Sequence, residues 1–198
     1  MAGRARRAGD EPPAVRAARD RERHIAQVTA FGFLFPRRPR RTVTVTPAPL
    51  RYWQYDPVRA HVVGLAVLGF AAWFGWLAAQ QGAAGVRRNV PLGIAIAVVV
   101  LVFSTGRLTV SDSAVSTDIA GLRRVSSFGV VPLSLVREVV RGSAPAGWPR
   151  PRRRGGWWPG RSRVTVRHLG SDGTGDKAFT VWVRDPAAFA DALGAPLG

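Results

Sequence analysis

A chain of 198 residues without a single cysteine excludes a disulfide framework, a thiolate metal site and a cysteine nucleophile. Its 29 basic residues against 12 acidic ones leave a net charge of +17, which directs attention to anionic partners, either phospholipid headgroups or nucleic acid. Every basic residue except Lys177 is arginine, and a mean hydropathy near zero averages a strongly apolar centre with polar flanks.

Residues 1–41 carry 11 arginines against 4 acids, and up to His24 they hold almost no large apolar side chain. The composition predicts a disordered, Arg-rich tail. Ile25, Val28, Phe31, Phe33, Leu34 and Phe35 follow, then Pro36-Arg37-Arg38-Pro39-Arg40-Arg41. Two readings stand. One is an interfacial anchor, with aromatics among headgroups and arginines on anionic lipid; the other is a solvated basic tail, or a start codon placed too early. Residues 42–60 read as a juxtamembrane segment. Thr42-Val43-Thr44-Val45-Thr46 alternates like a strand but is stopped by Pro47 and Pro49. Tyr52, Trp53 and Tyr55 suit the headgroup level, and Asp56-Pro57 suits the N-terminal cap of a helix.

Residues 61–106 contain two uncharged apolar runs, 62–79 and 90–103, separated by a short segment with Arg87 and Arg88. At about 1.5 Å per residue the first run covers roughly 27 Å, close to the hydrocarbon thickness of a bilayer. The pattern predicts a transmembrane helical hairpin whose second, shorter span needs Ser104-Thr105-Gly106 to reach a similar length. The alternative for that run is a buried strand, since Ile94, Ile96, Val98, Val99 and Val100 are β-branched. Gly64, Gly69 and Gly75 offer small surfaces for close approach of the second helix. Arginines flank the hairpin more densely than they occupy its loop, which favours both termini inside, in the plasma membrane.

Beyond Gly106 the apolar period becomes two. Leu108 and Val110, then Val115, Thr117 and Ile119, flank the turn Ser111-Asp112-Ser113, and Asp112 and Asp118 are expected to face turns and solvent. Residues 125–131 and 132–141 extend the sheet. Residues 142–160, with four prolines, form a long loop; residues 163–169 and 177–184 are strands joined by Ser171-Asp172-Gly173-Thr174-Gly175. Asp185-Pro186 opens a helix that Gly194 stops. Residues 107–198 thus form a small antiparallel β domain, a sheet or partly open barrel closed by a C-terminal helix.

The two-span hairpin, Gly106-Arg107-Leu108-Thr109-Val110, the stretch Val131-Pro132-Leu133-Ser134-Leu135-Val136-Arg137-Glu138-Val139 and the closing Asp185-Pro186-Ala187-Ala188-Phe189-Ala190-Asp191-Ala192-Leu193 together resemble small actinobacterial membrane proteins with a bacterial pleckstrin-homology-like domain. The resemblance implies a non-enzymatic cytoplasmic binding or scaffold domain on a membrane hairpin. It departs at the first hairpin loop, where Ser111-Asp112-Ser113 is short and acidic, unlike the basic inositide-gripping loop of eukaryotic members.

The concentrated basic and aromatic stretch lies instead at Arg150, Arg152, Arg153, Arg154, Trp157, Trp158, Arg161 and Arg163. Arginines engage phosphates bidentately and tryptophans settle at interfaces, so this stretch is the candidate surface for anionic headgroups or a protein partner. Single-stranded nucleic acid is the alternative, through charge and stacking. His24, His61 and His168 are not spaced as a metal pair, and no glycine-rich phosphate loop precedes a helix; neither a cofactor nor catalysis is expected.

Overall fold

The computed structural model describes residues 12–33, 47–56, 60–119 and 129–198. The basic stretch after Pro36, the alternation at 42–46, Pro57 and residues 125–128 of the expected third strand lie outside them.

In chain order the elements are α1 (Pro13–Ala30), β1 (Tyr52–Asp56), α2 (Ala60–Ser104), β2 (Gly106–Val110), β3 (Ala114–Ile119), β4 (Val131–Pro132), a 3-10 turn (Leu133–Leu135), β5 (Val136–Arg141), β6 (Arg152–Arg153), β7 (Ser162–Leu169), β8 (Asp176–Val183) and α3 (Pro186–Leu193). They build two four-stranded sheets, one ordered β1-β2-β3-β4 and antiparallel, the other ordered β5-β7-β8-β6, with β6 running parallel to β8. Alternation places Leu108, Val110 and Val115 of the first sheet against Val164, Val166, Phe179 and Val181 of the second. Phe189 and Leu193 of α3 close the core, and Tyr52 meets Phe189 edge-on at 5.4 Å. As expected, Asp185 caps α3 by accepting from the Ala188 N–H at 3.0 Å, and Gly194 ends it.

The domain begins earlier than residue 107. Residues 52–56, expected to be headgroup-level aromatics and a helix cap, form a strand paired with β2 in the register Tyr52↔Val110 to Asp56↔Gly106. The long apolar helix is therefore inserted between two neighbouring strands of one sheet. A helix leaving after Asp56 and returning at Gly106, opposite Asp56, has to double back, and the break is at Gly82 (φ 64°, ψ −167°), a backbone shape that L side chains rarely adopt. Each arm is about 22 residues, roughly 33 Å at 1.5 Å per residue. The second arm starts at Ala83 rather than near Val90, so Arg87, Arg88 and Pro91 belong to it. The β-branched run at 94–100 is helical, which overturns the strand alternative. The arms meet where Gly93 faces Phe74, since a Cβ there would lie 2.7 Å from the Phe74 ring; Gly64, Gly69 and Gly75 have nothing nearby.

The expected disordered tail is helical over Pro13–Ala30 and docked on the outer face of the first sheet. Ala17, His24, Val28 and Phe31 are buried. Beneath them lies a polar layer. Asp118, expected to face solvent, is buried and holds the Arg107 guanidinium at 3.2 Å; Arg107 also donates to the Gly32 carbonyl (2.8 Å) and stacks over Phe33. Thr109 pairs with Ser116 at 3.0 Å, and His24 Nδ1 meets Ser111 Oγ at 2.7 Å. Burial, and secondarily Arg107, push the His24 imidazole down to about 4.

An imidazole in the unfolded chain takes its proton near pH 6.5, so the stability that neutral His24 contributes is complete above that pH and is lost as pH falls towards 4. The acid-side penalty is roughly 3 kcal/mol. Burial holds the Asp118 carboxyl above its ordinary range despite Arg107, so its protonation at low pH works in the opposite direction. Amide protection factors of residues 13–30 should therefore fall between about pH 7 and pH 4.5, and His24→Gln should flatten the slope. An identical slope in the variant would rule the imidazole out.

Candidate anion-binding surface

Residues 142–160 are not only a loop. After Pro149, Arg152 and Arg153 form β6 beside Phe179 and Thr180 of β8, and the Arg154 N–H donates to the Thr180 carbonyl at 2.8 Å. Two successive strand residues point to opposite sides, so β6 deals its arginines to two cavities. Arg152 lines an outer cleft of about 550 Å³; Arg153 lines a cavity of about 370 Å³ at the base of α2, with His61, Phe103 and Ser104.

Of the eight residues singled out by sequence, two are committed to the fold. Arg161 is buried and paired with Asp56 at 2.9 Å, and it also donates to the Tyr55 carbonyl. Asp56 needs that partner, because burial holds its carboxyl above the usual range while Arg161 and Gln54 pull it back. Gln54 joins the same junction, donating to the Trp182 carbonyl at 2.6 Å and accepting from the Arg184 N–H at 3.1 Å. Gly155 closes over it with φ 70°, and a Cβ there would lie 2.5 Å from Asp56 Oδ2. Arg154 donates to the Gly129 carbonyl at 2.6 Å and stacks 4.3 Å above the Phe179 ring. Burial, and then its neighbour Arg152, push its guanidinium down to about 10.

The remaining six lie further out. Arg163 is half-buried and donates to Ser143 Oγ, while Trp157 and Trp158 are 58% and 55% exposed beyond the Gly155 turn. Arg150 and Arg152 open into the outer cleft, which brings in two cations that the sequence reading passed over, Arg21 of α1 and Lys177 of β8. Lys177 sits at the start of a strand expected for its apolar alternation, and Arg21 lay in the segment expected to be disordered. His168 borders the cleft, buried, with Nδ1 donating to the Leu169 carbonyl at 2.7 Å; burial lowers its pKa, and Arg154 and Lys177 lower it further. Among the described residues no three His, Asp or Glu side chains converge as a metal site.

Searches against protein-family models, curated proteins and solved structures find no match to this chain.

The division between buried and open arginines has a direct consequence for stability. Arg161→Met leaves the buried Asp56 carboxylate without its cation and should lower unfolding free energy by about 3–5 kcal/mol. Trp157→Ala and Trp158→Ala, at exposed positions, should stay within about 0.5 kcal/mol of wild type in the same denaturation experiment.

Proposed function

We propose that the protein is a membrane-anchored binding module: a two-span helical hairpin holding a pleckstrin-homology-like β domain against the inner face of the plasma membrane, both termini cytoplasmic, without catalytic activity. The observation that carries this reading is the inserted helix itself. His61–Ser104 is long and apolar enough to cross a membrane, and most of its large apolar side chains have no protein to cover them, with Leu65 and Leu68 each 68% exposed and Ile94 60%. In water so much contiguous apolar surface would drive association, whereas hydrocarbon is its natural solvent. Two arms of roughly 33 Å match a core of about 30 Å with modest tilt.

The sheet register supports the placement of the domain. Since α2 leaves and returns beside Asp56 and Gly106, the end of the sandwich bearing Arg153 and the Gly155 turn faces the membrane surface. Trp157 and Trp158 extend from that turn, in keeping with a contact at headgroup level where arginines meet anionic lipid and indole rings settle. A protein partner docking on the same basic surface would leave the hairpin's role unchanged.

The absence of native cysteine makes the topology measurable by single substitution. Ala84→Cys beside the Gly82 break should react with a membrane-impermeant maleimide in intact cells, and Ala187→Cys on α3 only in inside-out vesicles. Labelling of both from the same side would mean that the hairpin does not cross the membrane, which would overturn the two-span reading.

A further inference from the structure

The outer cleft has a chemistry that the membrane anchor does not use. Its cations converge from separate parts of the chain: Arg21 from the docked α1, Arg150, Arg152 and Arg154 from the β6 segment, and Lys177 from the start of β8. One acid, Asp176, lines it among the described residues, and Asp176 already receives Nε of Arg167 at 3.1 Å. Arg154 is fixed by Gly129 and Phe179; of the other four, Lys177 has Asp172 nearby, and the cations still outnumber the acids around the cleft. Arg21 Nε is buried there with no hydrogen-bond partner. Between the cations the lining is partly apolar, with Val131, Leu135 and Phe179. Arg150, Arg152 and Lys177 are exposed at the rim of this cleft of about 550 Å³ and Arg21 is half-buried, so the cations are free to reach an anion while the floor beneath them includes apolar side chains.

We propose that this cleft binds a phosphate-bearing amphiphile, its phosphate held by Arg21, Arg150, Arg152 and Lys177 and its organic part resting against Leu135 and Phe179. Guanidinium forks suit two phosphate oxygens each, and an ammonium at Lys177 supplies a point charge from the neighbouring strand β8. The ligand has two sources with the same chemistry, an anionic phospholipid reached from the adjoining membrane surface or a soluble phosphate ester. The site is built from α1, β4 and the second sheet, so it stands whether or not α2 spans a bilayer. It also assigns α1 a purpose beyond covering the sheet, since α1 carries one of the four phosphate ligands.

The test uses the full chain. In detergent micelles, inorganic pyrophosphate is titrated against wild type, against Arg150→Gln combined with Arg152→Gln, and against a charge-matched control, Arg137→Gln combined with Arg184→Gln, both exposed and outside the cleft. Calorimetry gives affinity, and the ring resonances of His168 at the cleft wall give location. Loss of two bidentate donors should weaken binding tenfold or more, roughly, and abolish the His168 shift, while the control retains both. Nanodiscs of phosphatidylcholine with and without phosphatidylglycerol form the second arm. A His168 response to phosphatidylglycerol alone, lost in the cleft variant, supports the proposal with lipid as the source; a response to pyrophosphate supports it with a soluble ester. Equal loss in both double variants, or silence of His168 in both arms, overturns it. Displacement of pyrophosphate by a single-stranded oligonucleotide at physiological salt would overturn it in favour of a nucleic-acid site. The micelle arm needs no bilayer, so its failure is separate from a failure of the two-span topology.

Discussion

The pairing of β1 with β2 is the constraint on which the rest depends. Asp56 and Gly106 are opposite one another in an antiparallel ladder, yet 50 positions apart in sequence, and nearly all of that interval is helix. Antiparallel neighbours are ordinarily joined by a few residues. Here the connection is itself a helical pair, so the sheet register fixes the distance between the two ends of α2 and leaves Gly82 as the place to turn. Orientation follows from the same register, because whatever receives the apolar arms must lie off the Asp56 end of the sandwich. The junction is held by charge: Arg161 neutralises Asp56, Gln54 ties both to β8, and Gly155 fits where a side chain would not. Such a pair is costly to desolvate and favourable mainly in its specificity, which suits a point where register has to be unique.

The first sheet has two unlike faces, and both are buried. Leu108 and Val110 look into the sandwich, while Arg107, Thr109 and Ser111 alternate to the other side, where α1 covers them. Apolar contacts of Ala17, Val28 and Phe31 seat the helix, and the hydrogen bonds of His24, Ser111, Arg107 and Asp118 fix its register. A polar layer of this kind adds little net stability when satisfied but penalises any misplaced docking by leaving buried groups unpaired.

Much of the β domain was legible because apolar alternation and turn chemistry are local. Leu108 and Val110, the 171–175 turn and the Asp185 cap with Gly194 all declare their roles within a few residues. The N-terminal helix did not, for a physical reason. Its buried positions, Ala17, His24, Val28 and Phe31, follow helical spacing, with Arg21 completing the stripe at the edge of the cleft. Polar residues at two of five positions hide that stripe from any count of large apolar side chains, and Ser111, which pairs with His24, is far away in sequence. The strand at 52–56 was obscured differently. Tyr, Trp and Tyr before a hydrophobic run fit a headgroup belt as well as a strand, and only the partner at 106–110, beyond the inserted helix, decides between them.

The arginine excess also changes meaning once the fold is known. Composition alone treats every arginine as surface charge. Arg107, Arg154 and Arg161 instead act as internal cross-links, each pairing with carbonyl oxygens and with a carboxylate or an aromatic ring, which a planar five-donor group does better than an ammonium. Arg167 likewise pairs with Glu138 and Asp176, and among the described residues the other cations are not evenly spread. Arg153 stands at the base of the helical hairpin, and Arg21, Arg150, Arg152 and Lys177 stand in the cleft one residue away along β6. Arg154, shared by both cavities and pinned to Phe179, is the wall between them. The two-residue strand β6 therefore divides two regions of positive charge, Arg153 facing the hairpin base and Arg152 the outer cleft.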